Sequence, residues 1–244
     1  MNVLLSIITI NYNNKTGLEK TMASVLHQTY NPIEYIIIDG GSTDGSVEVI
    51  KQHKDHLAYW VSEPDKGVYH AMNKGIKQAK GDYLLFLNSG DHFYSKTSLE
   101  LFKPFLLQDE NIDILYGHIE VIASKKFIKT YPNKLNFSYF YEDTLPHPAS
   151  LIKKSCFNKM VYDETLKIVS DWKFFMLGIC KYKFTYKPLN KVIATFYHNG
   201  VSSTSPELVQ QEREQVLEET FFFRSKIEKL LKKIKTQLIK VQKF

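Results

Sequence analysis

Four short apolar runs separated by three amphipathic stretches occupy residues 3–87, and this alternation constrains the fold more than any other feature. Val3–Ile10, Tyr35–Ile38, Ala58–Val61 and Tyr83–Leu87 are bounded by Gly, Pro, Asn or Asp, as strands are. Between them lie helical patterns near Gly17–His27, Gly45–His53 and Val68–Lys80. In the last, Val68, Ala71, Met72, Gly75, Ile76 and Ala79 share one face at helical spacing. Strand and helix alternating through short connections imply crossovers, hence a mostly parallel sheet covered by helices. The expected fold class is a Rossmann-like α/β/α sandwich.

Beyond Leu101 the alternation loosens. Ile112–Tyr116, Ile119–Ile122 and Phe127–Thr130 read as short strands of a more antiparallel half. Val169–Cys180 reads as a helix and Phe184–Phe196 as extended chain around Pro188. From Pro206 the pattern is helical and turns basic, which places a boundary near Ser205. The expected organisation is a main domain over 1–205, with halves 1–95 and 96–205, and a helical tail over 206–244.

A 43% hydrophobic content supplies a core and argues against general disorder. Cys156 and Cys180 have neither metal-site nor disulfide spacing, so a reducing compartment is expected. Val3–Ile10 has no basic leader or cleavage site and suits a buried strand, so the expected location is cytoplasmic. The net charge of +6 comes largely from the tail: Lys226 to Lys243 holds seven lysines against one glutamate. The remainder is near neutral, which argues against a nucleic-acid partner.

In sheets of this class ligands bind beyond the carboxyl ends of the strands. Four such ends are polar or glycine-rich: Thr9–Asn14, Asp39–Ser46, Glu63–Tyr69 and Asn88–Phe93. Asp39 can accept from a base or from ribose hydroxyls, and the glycines after it permit close backbone approach; a tight turn with a capped helix is the competing reading. Asp91 is rigidly placed to ligate a hard divalent cation, although alone it reads as a turn aspartate. Asp65 and Lys66 could meet ribose and phosphate, or could simply start a helix. No Gly-x-Gly-x-x-Gly follows the first strand and no Gly-Lys-Ser/Thr cradle exists, which excludes dinucleotide oxidoreductases and P-loop enzymes. A haloacid-dehalogenase-like nucleophile at Asp39 would want a second aspartate where Gly41 stands.

Ser6-Ile-Ile-Thr9 through Asn11-Tyr-Asn13, Asp39-Gly-Gly-Ser-Thr-Asp-Gly-Ser, Glu63-Pro-Asp-Lys-Gly and Asn88-Ser-Gly-Asp91 together resemble the family 2 glycosyltransferases. Within that family the chain resembles bacterial enzymes that build surface polysaccharides. The resemblance implies the GT-A fold, a UDP-sugar donor, Mg²⁺ or Mn²⁺, and inversion at the anomeric carbon. By position, Thr9 and Asp39 fall to the uridine and Asp65 to the ribose or donor sugar, while Asn11, Lys66, Asn88, Ser89 and Gly90 are expected to line the donor site. Asp91 matches the last aspartate of the family's Asp-X-Asp metal motif, while Ser89 stands where its first aspartate would be. Asp171 matches the late acidic residue that serves as base, with helix capping as the alternative. His147 falls near the acceptor and His198 is a candidate further metal ligand; for both, an ordinary packed or surface histidine is the alternative. The acceptor is expected to be a saccharide or lipid-linked saccharide.

Ile227, Leu230, Leu231, Ile234 and Leu238 fall near one helical face with lysines around it, as in an interfacial helix on the inner face of the plasma membrane. Packing on the body or assembly are its other readings. The incomplete metal motif leaves one rival of a different class, a non-catalytic sugar-nucleotide-binding or membrane scaffold protein.

Overall fold

The computed structural model describes residues 3–108, 111–198 and 204–241, the segment 235–241 as backbone only. Nine strands form one sheet in the order β3-β2-β1-β4-β8-β6-β9-β5, with β7 paired to β6. Its parallel part comprises β1 (Leu5–Asn11), β2 (Ile33–Asp39), β3 (Tyr59–Ser62) and β4 (Tyr83–Phe86). All seven residues of β1 are buried. That explains its near-continuous apolar sequence, since a strand covered on both faces does not alternate.

The helices α1 (Lys15–Leu26), α2 (Ser46–Gln52) and α3 (Val68–Gln78) connect these strands within a residue or two of the expected bounds. The chain moves from β1 outward to β3, then returns across the sheet to place β4 on the other side of β1. The path therefore reverses between β1 and β4, and a crevice opens beyond their carboxyl ends.

The remaining strands are β5 (His92–Phe93), β6 (Ile114–Ile122), β7 (Lys126–Lys129), β8 (Ser150–Lys153) and β9 (Tyr186–Tyr197). β4–β8, β6–β8, β6–β7 and β5–β9 are antiparallel, whereas β6–β9 is parallel. The two strands expected at Ile112–Tyr116 and Ile119–Ile122 are thus one. Its register slips on either side of His118, beside Gly117, where a Cβ would come within 2.4 Å of Ile193. That slip interrupts the apolar pattern without ending the strand.

Short helices α4 (Lys103–Leu106) and α5 (Phe137–Glu142) precede α6 (Ser170–Cys180), which matches the expected helix closely. The last helix, α7 (Pro206–Val241), is kinked at Phe221, whose φ of −135° is non-helical and whose ring packs on Phe137 at 5.2 Å. Before the kink α7 belongs to the body, with Glu212, Val216 and Leu217 buried. After it, Phe223 is 80% and Leu230 59% exposed, together with Ile227, Leu231 and Ile234. Leu238 of the expected stripe lies outside the described side chains. Among the described residues no helix is long and apolar enough to cross a membrane.

Candidate active site

A cleft of about 600 Å³ lies at the β1/β4 crevice. Asn88, Ser89, Gly90 and Asp91 form one wall, with Asn14, Lys20, His147 and Asp171 around them. Gly90 has φ +109°, a conformation L side chains rarely adopt, and its N–H donates to Thr21 Oγ1 at 3.0 Å. Asn14 caps α1 by accepting from Gly17 N and donates to the Ser89 carbonyl at 3.0 Å. The loop that presents Asp91 is therefore fastened to the start of α1.

Asp91 is 7% exposed, and among the described residues no cationic side chain lies within ion-pair distance of it. Burial pushes its pKa up to about 7, with the His147 charge and the Tyr197 backbone opposing the rise. Nearby, His147 Nδ1 lies 3.1 Å from Asp171 Oδ2, and Asn88 Nδ2 lies 3.3 Å from His147 Nε2. Because an ionised carboxylate only accepts, Nδ1 carries the proton towards Asp171. Burial opposes protonation of His147, yet the contact and charge of Asp171, with Asp91 behind it, hold the imidazole above its ordinary pKa.

Asp171 also accepts from Trp172 N at 2.9 Å and Tyr69 OH at 3.1 Å. Burial alone would raise its pKa, but the His147 contact and these hydrogen bonds hold it below the usual carboxylate range. The carboxylate stays ionised, and Tyr69, itself bonded to Ile168 O, fixes its orientation. Asp171 lies inside the first turn of α6, whose N-cap is Val169 without a side-chain cap; its Oδ1 accepts from Trp172 N and Tyr69 while its Oδ2 faces His147.

The residues expected on the nucleotide side, Asn11, Asp39 and Asp65, stand at neighbouring strand ends and do not line this cleft. Asp39 is fully buried and accepts from Asn11 Nδ2 at 2.7 Å, Ser42 Oγ at 2.6 Å and Ser62 Oγ at 2.6 Å. Burial would raise its pKa, but these donors more than offset that and lower it. Asp65 is held by Lys74 at 2.6 Å and His70 at 2.9 Å, leaving its Oδ2 buried without a partner beside Gly40. Asn11 Oδ1 is likewise buried and unpaired.

Thr9 does not reach either surface. It is fully buried, donates to Leu87 O at 2.8 Å and lies 3.1 Å from Tyr35 OH, so its hydroxyl is a core tie between β1 and its neighbours. Lys66 is exposed and does not line the cleft. His198 is exposed too; its N–H donates to Ile122 O as the chain leaves β9, and it lines a second cavity instead of the Asp91 cleft. A metal role for His198 has no geometric support in that placement.

Sequence reading missed Lys20 and Tyr197. Lys20 Nζ lies 4.0 Å from the Tyr197 ring centroid, bonds its hydroxyl, and adds a cation to the cleft that Asp91 also lines. Their partnership joins α1 to β9, and no local pattern marks it. Lys167 adds a further cation at the rim.

The residues present fit a divalent cation with a sparse protein shell. Asp91 is a buried carboxylate without a contacting cation, and Asn88 Oδ1 is a buried acceptor without a donor, in one cleft. Among the described residues no group of three His, Cys, Asp or Glu side chains can hold a metal. The other ligands would have to come from a substrate and water.

The open sheet reversing at β1/β4, with two carboxylates lining the cleft at its crevice, is the GT-A fold. The Glycosyl transferase family 2 signature matches residues 6–169, and the chain belongs to that family. An uncharacterized glycosyltransferase of Mycobacterium tuberculosis is 35% identical over 176 residues, 70% of this chain and 67% of that protein. A PGL/p-HBAD biosynthesis glycosyltransferase of Mycobacterium bovis is 26% identical over 82% of this chain and 80% of its own length. Among solved structures, S. aureus TarS 1-349 in complex with UDP-GlcNAc superposes with a TM-score of 0.65 at 18% identity, covering 82% of this chain and 60% of TarS 1-349. The mannosyltransferase PcManGT of Pyrobaculum calidifontis, in complex with GDP-Man and Mn²⁺, gives 0.60 at 14% identity over 79% of this chain and 56% of its own. The chain thus spans less than two thirds of either solved chain.

Proposed function

We propose that this chain transfers a sugar from a UDP-sugar, with inversion, to a saccharide or lipid-linked saccharide of the bacterial cell surface. The observation that carries the proposal is the placement of Asp91 and Asp171 in one cleft, with His147 between them. The family supports the reaction class, and the relatives named for PGL/p-HBAD biosynthesis support the setting. TarS bound to UDP-GlcNAc supports a uridine donor.

In this reading Asp39, Asn11 and Asp65 form the nucleoside end of the donor site. The unpaired Asn11 Oδ1 and Asp65 Oδ2 are acceptors suited to base N–H or ribose hydroxyls. Asn88, Ser89 and Gly90 line the path of the diphosphate, and Lys20 replaces Lys66 as the cation aimed at it. Asp91, helped by Asn88 Oδ1, would hold Mg²⁺ or Mn²⁺, which when bound supplies charge neutralisation for the departing diphosphate.

Asp171 accepts the proton of the acceptor hydroxyl as that oxygen bonds to the anomeric carbon. The glycosidic bond to the diphosphate breaks on the opposite face, through a transition state with oxocarbenium character. His147 keeps Asp171 ionised before the reaction, and Tyr69 keeps it aimed. The exposed apolar and lysine-bearing segment of α7 after Phe221 docks on an anionic membrane surface at the cytoplasmic face.

Calorimetry tests the donor site. UDP affinity should rise with Mn²⁺, and Asp91→Ala should abolish that gain; affinity indifferent to metal in the unaltered protein removes the metal assignment. Asp171→Asn should keep UDP binding and lose transfer, and normal turnover by that variant removes Asp171 from the mechanism.

A further inference from the structure

Behind Asp171 a second cavity of about 430 Å³ adjoins the donor cleft, and the two share His147, Ile168, Asp171 and Phe196 as walls. Its lining is largely apolar and aromatic, with Val121, Tyr131, Leu145 and Trp172 among the contributors. Four positively chargeable side chains reach it, Lys129, His147, His198 and Arg213, alongside the carboxylates of Asp143 and Asp171. Lys129 is neutralised by Asp143 at 2.7 Å, His147 faces Asp171 at 3.1 Å, and His198 is exposed.

Arg213 is different. It projects from the first segment of α7, and its guanidinium lies 4.8 Å from the ring centroid of Trp172, the residue after Asp171. It makes one hydrogen bond, from Nη1 to Glu142 O at 3.3 Å, and its Nε is buried without a partner. Among the described residues no carboxylate lies within ion-pair distance of it. Burial lowers its pKa from the ordinary arginine value against the opposing charges of Asp143, Asp171 and Glu142, and arginine stays protonated in proteins. Those carboxylates act from beyond ion-pair distance, so the partly desolvated guanidinium keeps unpaired donors, Nε among them, for a contacting anion. The planar fork, pre-set by stacking on Trp172, suits two oxygens of a phosphate or carboxylate.

The continuation of α7 selects between those two anions. Val209 and Arg213 line the cavity, and the same helix passes the Phe221 kink into the unburied face bearing Phe223, Ile227 and Leu230 among lysines. That face suits a lipid surface, and a group entering the cavity beside α7 would come from there. We propose that Arg213 binds the phosphate that links the acceptor's sugar to its lipid, which sets the acceptor hydroxyl against Asp171. Its role in acceptor binding rests on the transferase reading; the phosphate-lipid site itself does not.

The test uses the full chain carrying Trp60→Phe, so that Trp172 is the one remaining tryptophan. Trp172 fluorescence is followed during titration with farnesyl phosphate below its micelle concentration, and with farnesol, inorganic phosphate and glucuronate. Farnesyl phosphate should bind saturably. Arg213→Met should weaken it at least tenfold and Arg213→Lys less, with UDP affinity unchanged in both. Farnesol should bind no better to the parent chain than to Arg213→Met.

Absent farnesyl phosphate binding, or binding indifferent to Arg213→Met, overturns the proposal. Tighter Arg213-dependent binding of glucuronate than of farnesyl phosphate overturns the phosphate assignment. If the methionine variant melts early, Arg213→Lys decides, because wild-type affinity in a chain lacking the fork also overturns the proposal. Loss of UDP binding alongside Arg213-dependent farnesyl phosphate binding sinks the transferase reading and leaves this site standing; the reverse sinks this site alone.

Discussion

Replacing Asp91 by Asn should stabilise the metal-free protein while removing its response to metal. A buried carboxyl that releases its proton near pH 7, where an unfolded aspartate does so near 3.8, costs about 4 kcal/mol to ionise in the folded state. The sign follows from proton binding. Below pH 4 both states hold the proton and no cost arises. Between pH 4 and 7 the unfolded chain loses it while the folded chain keeps it, so stability falls as pH rises. Above pH 7 the full cost is present. Asparagine has almost the same shape and no such cost. Urea denaturation in chelator at pH 5, 6, 7 and 8 should show Asp91→Asn gaining on the unaltered protein across that range, to a plateau of roughly 2–4 kcal/mol. Millimolar Mn²⁺ with UDP should raise the midpoint of the parent and leave the variant nearly unmoved. A variant equal in stability to the parent at pH 8, or less stable, refutes the claim that Asp91 is a desolvated carboxylate awaiting a cation.

Four further outcomes are expected. Glu212 accepts from Lys167 N, Ile168 N and Val169 N at 2.7, 3.0 and 3.2 Å, so Glu212→Gln should cost roughly 2–4 kcal/mol in urea denaturation while UDP affinity stays unchanged; a loss under about 0.5 kcal/mol contradicts it. Gly90→Ala at φ +109° should cost ~1–3 kcal/mol and cut the Mn²⁺-dependent gain in UDP affinity at least tenfold, and an undiminished gain in calorimetry would show that the loop does not need the glycine. Lys20→Met should weaken UDP about tenfold and leave uridine binding alone, whereas equal losses for both ligands would place Lys20 away from the phosphates. Leu230→Glu should reduce flotation with anionic vesicles about tenfold without altering the melting curve, and unchanged flotation rejects α7 as the docking segment.

The parallel half was legible because each of its strands is locally written. A run such as Ser6–Asn11 is buried on both faces, so its sequence announces its environment without reference to distant residues. The second half is not written that way. β8 is four residues long, and its pairing partners lie on β4 and β6. The strand expected to break at Gly117 continues because β9 closes against it, a fact carried by Ile193. The site divides similarly. Asp39, Asp91 and Asp171 stand in motifs, but Lys20, Tyr197, Glu212 and Arg213 owe their positions to contacts between elements far apart in the chain. Thr9 stands in a motif too, and its hydroxyl serves the core.

The kink at Phe221 works as a ruler. Arg213 lies eight positions before Phe221, which at helical rise is ~12 Å along the axis. On the proposed reading, in which the segment after the kink meets lipid and Arg213 meets the phosphate of a lipid-linked acceptor, this length of helix sets the separation between the two contacts, and inserting a full turn before Phe221 would change it by ~5.4 Å.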